Sequence, residues 1–268
     1  MKYIALTFDD GREDNVSVAY PIMARYGLTA TLFVTTGYLD GTWTRDPAWA
    51  YSGEPMTIDQ LRLLRDAGWE IGLHGDWHRT SLEDWQSALA KLKSWGFDTR
   101  HIGCSLPNSQ VDEQEIQHIV HTLGSETIAY IRRGRACDTK KIGNRILFAM
   151  YTYMKSSWAY RRFNRGNVMR LPIENRTKVY SVVVRHEDDP RMILGLIDAL
   201  AEDSLCVLML HSILPEEHRN YGREPWNWSA ARFEQLCSGL RERKGQFQMN
   251  TLKEIVKRQN QDKVGCSR

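Results

Sequence analysis

The chain has 268 residues, 42% of them hydrophobic and 26% charged, and a chain of this length can bury one sizeable core. A mean hydropathy of -0.49 and the lack of any apolar run near the ~20 residues that span a bilayer exclude a membrane bundle, and nine Trp and eleven Tyr exclude a disordered chain. The net charge of +3 hides a basic block in a chain whose remainder is acidic.

The cysteine pattern bears on the cellular compartment. The five cysteines include no pair at CxxC spacing, so the sequence predicts neither a disulfide framework nor a thiolate zinc site. The apolar start of the chain ends at Asp9 and Asp10, before a signal-peptide core is complete. We therefore expect a cytoplasmic protein with reduced thiols.

The first three predicted elements form a βαβ unit. Residues 3–8 (YIALTF) are a short apolar run, which predicts a buried strand ending in a loop at Asp9. Residues 14–26 carry apolar side chains at helical spacing and are closed by Gly27. Residues 28–34 are rich in β-branched residues, which favours a second strand.

Strands and helices continue to alternate. Thr57 and Gln60 match a capping box that opens a helix ended by Gly68, and Ser81 opens the next helix, through Trp95. Further strands are predicted at residues 69–73, 101–104, 127–131, 179–184 and 205–210, with helices beginning near Asp112 and at Asp189. The alternation predicts a parallel sheet covered on both faces, and about seven units in 268 residues favour closure into a TIM-like (β/α) barrel. An open doubly wound sheet is the alternative.

A basic segment interrupts this pattern. Residues 132–178 contain thirteen Lys and Arg against two acidic residues, and we expect them to form an irregular insertion in a single domain that spans residues 1–268. Within it, residues 146–165 mix aromatic and aliphatic side chains with Lys and Arg, as expected at the surface of an anionic membrane. A helix that packs its aromatics on the barrel is the alternative. No recognised motif for nucleic acid is present, so a nucleic-acid partner is not expected.

Three groups of polar residues, distant from one another in sequence, follow the ends of predicted strands. They are Asp9 with Asp10, His74 with His78, and His211, and parallel α/β folds place their chemistry at this edge of the sheet. If residues 74–78 turn helically, the two imidazoles share a face and can reach one metal ion. The side chains of adjacent residues on a strand point in different directions, so one aspartate can face the metal ion and the other the water bound to that ion. Two His and one carboxylate with open positions indicate a hydrolytic site for Zn²⁺ or a similar divalent ion.

These residues also resemble a known family. Residues 7–11 (TFDDG), 74–78 (HGDWH) and 208–211 (LMLH) are similar, in order and spacing, to the motifs of polysaccharide deacetylases, the NodB-homology or carbohydrate esterase family 4 group. The resemblance runs from Ile4 to the segment 247–255. It implies a distorted (β/α) barrel and metal-dependent hydrolysis of an N-acetyl group on an amino sugar.

The resemblance also implies roles for single residues. Asp10, His74 and His78 match the metal ligands, Asp9 matches the catalytic base, and His211 matches the catalytic acid. Because these positions handle any planar amide, a deformylase or another amidohydrolase of this fold is an alternative function. A non-catalytic relative that binds a glycan is a second alternative.

The sequence departs from the family pattern at three motifs. Gly75 replaces the usual Ser or Thr after the first His, so we expect a looser metal loop. Ser105 stands where the family has an Arg beside the base, so the base needs another cation. The fourth motif, an Asp and a Trp beside the catalytic acid, has no clear match, and residues 185–189 resemble it only in acidity. The candidates for the missing cation are Arg12, Arg133 and Arg185.

The predicted location narrows the substrate class. A protein without an export signal is a poor fit to an extracellular polymer, so a cytoplasmic sugar intermediate fits better. We expect an N-acetylated amino sugar, carried on a lipid phosphate as a glycan precursor. The protein would then contact the inner face of the membrane through residues 132–178.

Overall fold

The central strand of the protein carries both aspartates of the first motif. β1 (Lys2–Asp10) is buried along almost its whole length. It pairs in parallel with β2 (Thr31–Val34) on one side and with β8 (Ser204–Leu210) on the other. The predicted strand at residues 3–8 is therefore longer at its end, and Asp9 and Asp10 are the last two residues of β1. This is a computed structural model, and it describes residues 1–43, 53–109, 111–135 and 141–265.

Four more of the predicted strands occur in the expected order. They are β3 (Glu70–Leu73), β4 (Ile102–Ser105), β5 (Ile128–Arg132) and β7 (Val182–Val183). The structure adds four short strands that the sequence did not predict: β6 (Met169–Arg170), β9 (Ser212–Leu214), β10 (Asn227–Ser229) and β11 (Gln248–Met249). The main sheet runs β5-β4-β3-β2-β1-β8, with β7 and an antiparallel β6 on β8 and with β11 on β1. β9 and β10 form a separate parallel pair.

The sheet curls until its two ends meet. The segment that precedes β7 bonds to β5, where the Val179 N–H donates to Ile131 O at 3.1 Å and the Arg133 N–H donates to Val179 O at 2.7 Å. The segment that follows β7 bonds to β8, where the Val184 N–H donates to Met209 O at 2.9 Å. Seven parallel strands thus form the distorted barrel that the sequence predicts, and the open doubly wound alternative is wrong.

Helices surround this sheet, and several begin at the residues predicted from sequence. They are α1 (Tyr20–Arg25), α2 (Thr36–Leu39), α3 (Ile58–Asp66), α4 (Leu82–Ser94), α5 (Glu113–Leu123), α6 (Ile142–Met154), α7 (Ser157–Asn164), α8 (Pro190–Asp198), α9 (Ala230–Glu242) and α10 (Leu252–Gly265). A π-helical turn (Asn15–Ala19) precedes α1. Thr57 and Gln60 make both bonds of the predicted capping box, and the Ser81 hydroxyl caps α4.

The basic segment is more regular than expected. Residues 142–164 form the α6–α7 hairpin, so the irregular insertion predicted at 132–178 is wrong for these residues; residues 136–140 lie outside the described part of the chain. Buried aromatic side chains fix the hairpin: the ring of Tyr151 packs edge to face on Tyr160 and, at a tilt, on Phe163. Residues 146–165 are therefore largely helical and bury part of their aromatic surface, as the alternative expects, while another part of the hairpin's apolar surface is exposed.

Side-chain alternation along the strands separates two layers of core. On β1, Ile4, Leu6 and Phe8 pack into the outer layer between the sheet and the helices. Tyr3 and Ala5 face the barrel interior instead. Because successive side chains point to opposite faces, this alternation places Asp9 on the interior side. Among the described residues, no helix has both the length and the apolar character required to cross a bilayer.

Candidate metal centre

Three side chains meet at the carboxyl edge of the barrel with the spacing of a metal site. One ligand atom each of Asp10, His74 and His78 lies within 4.8 Å of the other two. Asp10 Oδ1 is 3.6 Å from Nε2 of both histidines, and the two Nε2 atoms are 3.2 Å apart. Two imidazole nitrogens and one carboxylate oxygen suit Zn²⁺ and related divalent ions. These residues therefore fit the cation that the sequence predicts.

The ring of His74 is oriented from behind by Ser105. The Ser105 hydroxyl lies 2.6 Å from Nδ1 of His74, and the Ser105 carbonyl oxygen lies 3.2 Å from the same nitrogen. These contacts hold Nδ1 and leave Nε2 directed at Asp10. A partner on the second nitrogen is the usual way to orient a metal-binding histidine. Ser105, which replaces the family's Arg, thus positions the metal-ligand candidate His74.

Residues 74–78 do not form the helical turn considered from sequence. The segment is a loop in which Gly75 has φ +80° and His78 has φ +56°. Asp84 on α4 closes this loop by accepting the N–H groups of Asp76 and Trp77 at 3.0 and 2.6 Å. A Cβ atom on Gly75 would stand 2.1 Å from Asp84 Oδ2. The expected looser loop is therefore wrong, because Gly75 makes room for a carboxylate that fixes the backbone.

Asp9 lies beside the three donors and keeps a buried arginine partner. Its Oδ2 is 4.0 Å from Nε2 of His74 and 3.9 Å from Nε2 of His211. The guanidinium of Arg132, at the end of β5, contacts both carboxylate oxygens of Asp9. Arg132 also stacks over the ring of Phe33, 5.1 Å from its centroid. Both charges are almost fully buried, so each is stable only because the other is present.

The three arginines proposed from sequence as the partner of Asp9 are all wrong. Arg12 binds Asp10 and Glu224, Arg133 binds Glu113, and the guanidinium of Arg185 stacks between the rings of Phe148 and Trp226. The residue that sequence reasoning missed is Arg132. Arg132 follows the inward-facing Tyr130 by two positions on β5, so alternation directs it inward. The predicted strand ends at residue 131, one residue too early to include it.

Arg12 accounts for the orientation of Asp10. Its Nε donates to Asp10 Oδ2 at 3.0 Å, so Oδ1 is the oxygen that faces the two histidines. Arg12 itself is fully buried. Burial alone would lower the pKa of this guanidinium, but the carboxylates of Asp10 and Glu224 raise it well above its usual range. Asp10 thus has one oxygen fixed by a permanent charge and one directed at the donors.

His211 approaches from the opposite side of the cleft. It follows β8, its carbonyl oxygen accepts from Asn15 Nδ2 at 2.7 Å, and its ring packs on Trp226 with centroids 5.5 Å apart. Burial lowers the pKa of His211 to about 4, although Asp10 and Asp9 oppose the shift. The Nδ1 atom has no hydrogen-bond partner among the described residues. The imidazole is therefore neutral at pH 7.

These groups share one cleft of about 310 Å³. Its walls combine the polar centre with apolar side chains from Leu106, Val183, Met209 and Trp226. An aromatic and aliphatic wall beside a polar centre suits a sugar ring, which has apolar faces and a polar rim. The structure thus brings all five predicted site residues to one cavity.

Comparison with known proteins agrees with the motifs. Residues 1–123 match the sequence profile of the polysaccharide deacetylase family. No curated protein matches the sequence.

Solved structures share the fold at low identity. The Xyl-CE4 domain of a multidomain xylanase from the hindgut metagenome of Trinervitermes trinervoides is 15% identical, with a TM-score of 0.50 over 97% of this chain and 91% of that chain. A family 4 acetyl xylan esterase from Clostridium thermocellum, in complex with a cobalt ion, is 13% identical, with a TM-score of 0.51 over 95% and 90%. A CE4 family pseudoenzyme from Bacillus anthracis is 9% identical, with a TM-score of 0.51 over 95% and 65%. The resemblance to the polysaccharide deacetylases is thus confirmed, in sequence over residues 1–123 and in fold over nearly the whole chain.

Proposed function

We propose that this protein is a metal-dependent hydrolase that removes the N-acetyl group from an N-acetylated amino sugar. The observation that carries the proposal is the convergence of Asp10, His74 and His78 on one point, with Asp9 and His211 beside them. A pure binding site for a neutral glycan has no need of two buried carboxylates and three imidazoles.

Asp10, His74 and His78 would hold the cation, with Zn²⁺ as the expected ion. A bound divalent cation lowers the pKa of water and polarises the carbonyl oxygen of the acetyl group. The protein holds two of the three donors in advance, since Arg12 fixes Asp10 and Ser105 fixes His74. Little reorganisation is therefore needed when the ion binds.

Asp9 and His211 would move the proton. Asp9 accepts a proton from the attacking water, while Arg132 holds its carboxylate in place. His211 is neutral at rest because of its burial, so the proton that it gives to the departing amine must first reach it during the reaction. Its Nε2 lies 3.9 Å from Asp9 Oδ2. The proton that Asp9 takes from water can therefore pass to His211 and then to the departing amine, so the reaction needs no second proton.

Acetate release tests this function. The metal-loaded protein should release acetate from free, nucleotide-linked or lipid-linked N-acetylated amino sugars, and a chelator should stop the reaction. Asp9→Asn should remove most of the activity while the metal content stays the same. A protein that yields no acetate from any of these substrates contradicts the enzyme proposal and favours a glycan-binding relative. Faster release of formate from N-formylated sugars would favour the deformylase alternative.

The finer substrate proposal is a sugar carried on a lipid phosphate at an anionic membrane. Its support is the α6–α7 hairpin, which exposes Ile142, Ile146, Tyr153, Met154 and Trp158. Residues 141–173 contain seven Lys and Arg and no acidic residue, and all seven are exposed. Apolar side chains beside unopposed cations are the pattern of helices that lie on anionic bilayers. The cytoplasmic location stays a prediction.

Vesicle sedimentation tests the membrane proposal. The protein should sediment with phosphatidylglycerol vesicles at low salt, but neither with phosphatidylcholine vesicles nor at high salt. Tyr153→Ser combined with Trp158→Ser should reduce sedimentation. Leu63→Ser, which changes an exposed leucine on α3, is the matched control and should not. Absence of sedimentation at low salt contradicts the proposal.

A further inference from the structure

Arg135 lies on the wall of the proposed active-site cleft. No carboxylate of the described residues forms an ion pair with it. It follows β5 and lines the same cleft as Asp9 and His211. Its Nε atom is buried and has no hydrogen-bond partner, and its guanidinium forms no ion pair with any described residue. A buried polar group without a partner is costly, so such a group usually has one when the site is filled.

The neighbouring arginines are already engaged. Arg132 is bound to Asp9, Arg12 to Asp10, and Arg133 to Glu113. Burial raises the pKa of Asp188 to about 7, and the charge of Arg135 opposes this shift. No ion pair joins Arg135 to a carboxylate among the described residues, so an anionic ligand in the cleft can pair with its charge.

The position of Arg135 indicates which part of a substrate it would meet. Its guanidinium carbon lies 5.0 Å from the ring centroid of Phe163 on α7. On its other side it faces the cavity that contains the metal donors and Trp226. Arg135 thus lies between the metal centre and the α6–α7 hairpin. A sugar whose acetamide lies at the metal centre would therefore share its cleft with Arg135.

We infer that Arg135 binds a phosphate group on the substrate sugar, so that the enzyme prefers a glycosyl phosphate to the neutral sugar. This rests on the proposed function for the placement of the acetamide. A guanidinium presents paired N–H donors that match two phosphate oxygens. The ring of Phe163 beneath it limits the motion of the guanidinium and excludes water from one face. The residue would therefore select substrates by charge, without taking part in the bond cleavage.

The test measures binding and turnover separately on the full-length, metal-loaded protein. Calorimetry compares glucosamine 1-phosphate with glucosamine, which are not hydrolysed. We expect the phosphate to bind about ten- to a hundredfold more tightly, the range for hydrogen bonds to a charged group. Arg135→Gln should abolish this preference, and Arg135→Lys should restore part of it. Arg241→Gln, which removes an exposed arginine on α9, should leave it unchanged.

Turnover distinguishes the sources of the phosphate. With N-acetylglucosamine, its 1-phosphate and a short-chain prenyl phosphate conjugate, Arg135→Gln should raise KM for the two phosphates and leave kcat nearly unchanged. A preference for the conjugate over the free phosphate would identify a lipid-linked source, and the reverse a soluble one. Equal binding of glucosamine and its phosphate, or a preference that survives Arg135→Gln, overturns the inference. Failure to release acetate from any substrate contradicts the proposed function, while the calorimetry still decides the role of Arg135.

Discussion

Asp9, Asp10 and His74 are each 2% exposed, whereas Tyr153 is 83% and Trp158 57% exposed. The metal centre buries charges and gives each carboxylate an arginine partner. The α6–α7 hairpin has the reverse arrangement, with apolar side chains in water and cations that lack carboxylate partners among the described residues. Both arrangements are costly for an isolated protein. The arginine partners offset the cost of the first arrangement, and the second becomes favourable when another surface covers it.

The two regions also meet within the protein. The guanidinium of Arg185 lies 5.2 Å from the ring of Phe148 on α6 and 5.3 Å from the ring of Trp226. Trp226 in turn packs on His211. A continuous stack thus runs from the hairpin to the proposed catalytic acid. A change at Phe148 on the hairpin should therefore also affect the environment of His211.

The largest effect should come from the two adjacent aspartates. Asp9→Asn should lower kcat by about 10²–10⁴-fold, because it removes a general base, and metal analysis should find the ion still bound. Asp10→Asn should lower activity at least as much, and here the ion should be lost. The pair separates two roles on neighbouring residues. Equal metal content in both variants would contradict the assignment of Asp10 as the ligand.

Arg132→Met should destabilise the protein by about 3–5 kcal/mol, because it leaves the Asp9 carboxylate buried without a partner. Urea unfolding measures this change. Adding Asp9→Asn to the same variant should restore much of the stability, since the unpaired charge is then absent. Arg191→Met removes an exposed arginine that pairs with Asp189, and it should change the free energy of unfolding much less. A similar loss of stability in Arg132→Met and Arg191→Met would contradict the claim that the buried Asp9–Arg132 pair contributes more to stability than a surface pair.

Gly75→Ser introduces the residue that the family usually has, and it should nevertheless weaken the site. The new Cβ would collide with Asp84 at a backbone φ of +80°, so the loop that carries His78 must shift. We expect metal affinity to fall about 10–100-fold, as for other losses of ligand support, measured by competition with a chelating dye. Asp84→Ala should do the same. Asp59→Asn, at an exposed ion pair on α3, is the control and should leave affinity unchanged.

The stability of the metal-free protein should fall as the pH drops from about 6.5 to about 4. Burial lowers the pKa of His211 from 6.5 to about 4, so in this window the unfolded chain binds a proton that the folded chain does not. This group alone contributes a slope of up to about 1.4 kcal/mol per pH unit. His211→Gln should reduce the slope of unfolding free energy against pH. An unchanged slope would mean that the imidazole is protonated in the folded state.

The smallest change in stability should come from the hairpin surface. Tyr153→Ser should alter the free energy of unfolding by no more than about 0.5 kcal/mol, because the side chain is exposed. Phe148 lies five residues before Tyr153 on α6, but its ring contacts Arg185 and Phe163, so Phe148→Ala should lower both stability and kcat. If Tyr153→Ser destabilises as much as Phe148→Ala, the surface is part of the core and the membrane proposal loses its support.

Local chemistry made much of this protein predictable from sequence. The barrel follows from apolar strands that alternate with capped helices, and the five site residues follow from polar residues placed where those strands end. These are short-range signals, because each depends on a few neighbouring residues. The exact ends of elements are harder to predict: β1 extends through Asp9 and Asp10, which were expected to lie in a loop. Residues 142–164 form helices in a segment expected to be irregular.

The kind of fold and the set of polar groups at its edge can be predicted from the linear chain, because side-chain periodicity and strand ends are local properties. The pairing of charges depends on the folded chain. Arg132 meets Asp9 from 123 positions away, and Asp84 fills the space that Gly75 leaves. Such pairings depend on barrel curvature and on the free energy of burying each charge with a partner, and neither is encoded in local spacing.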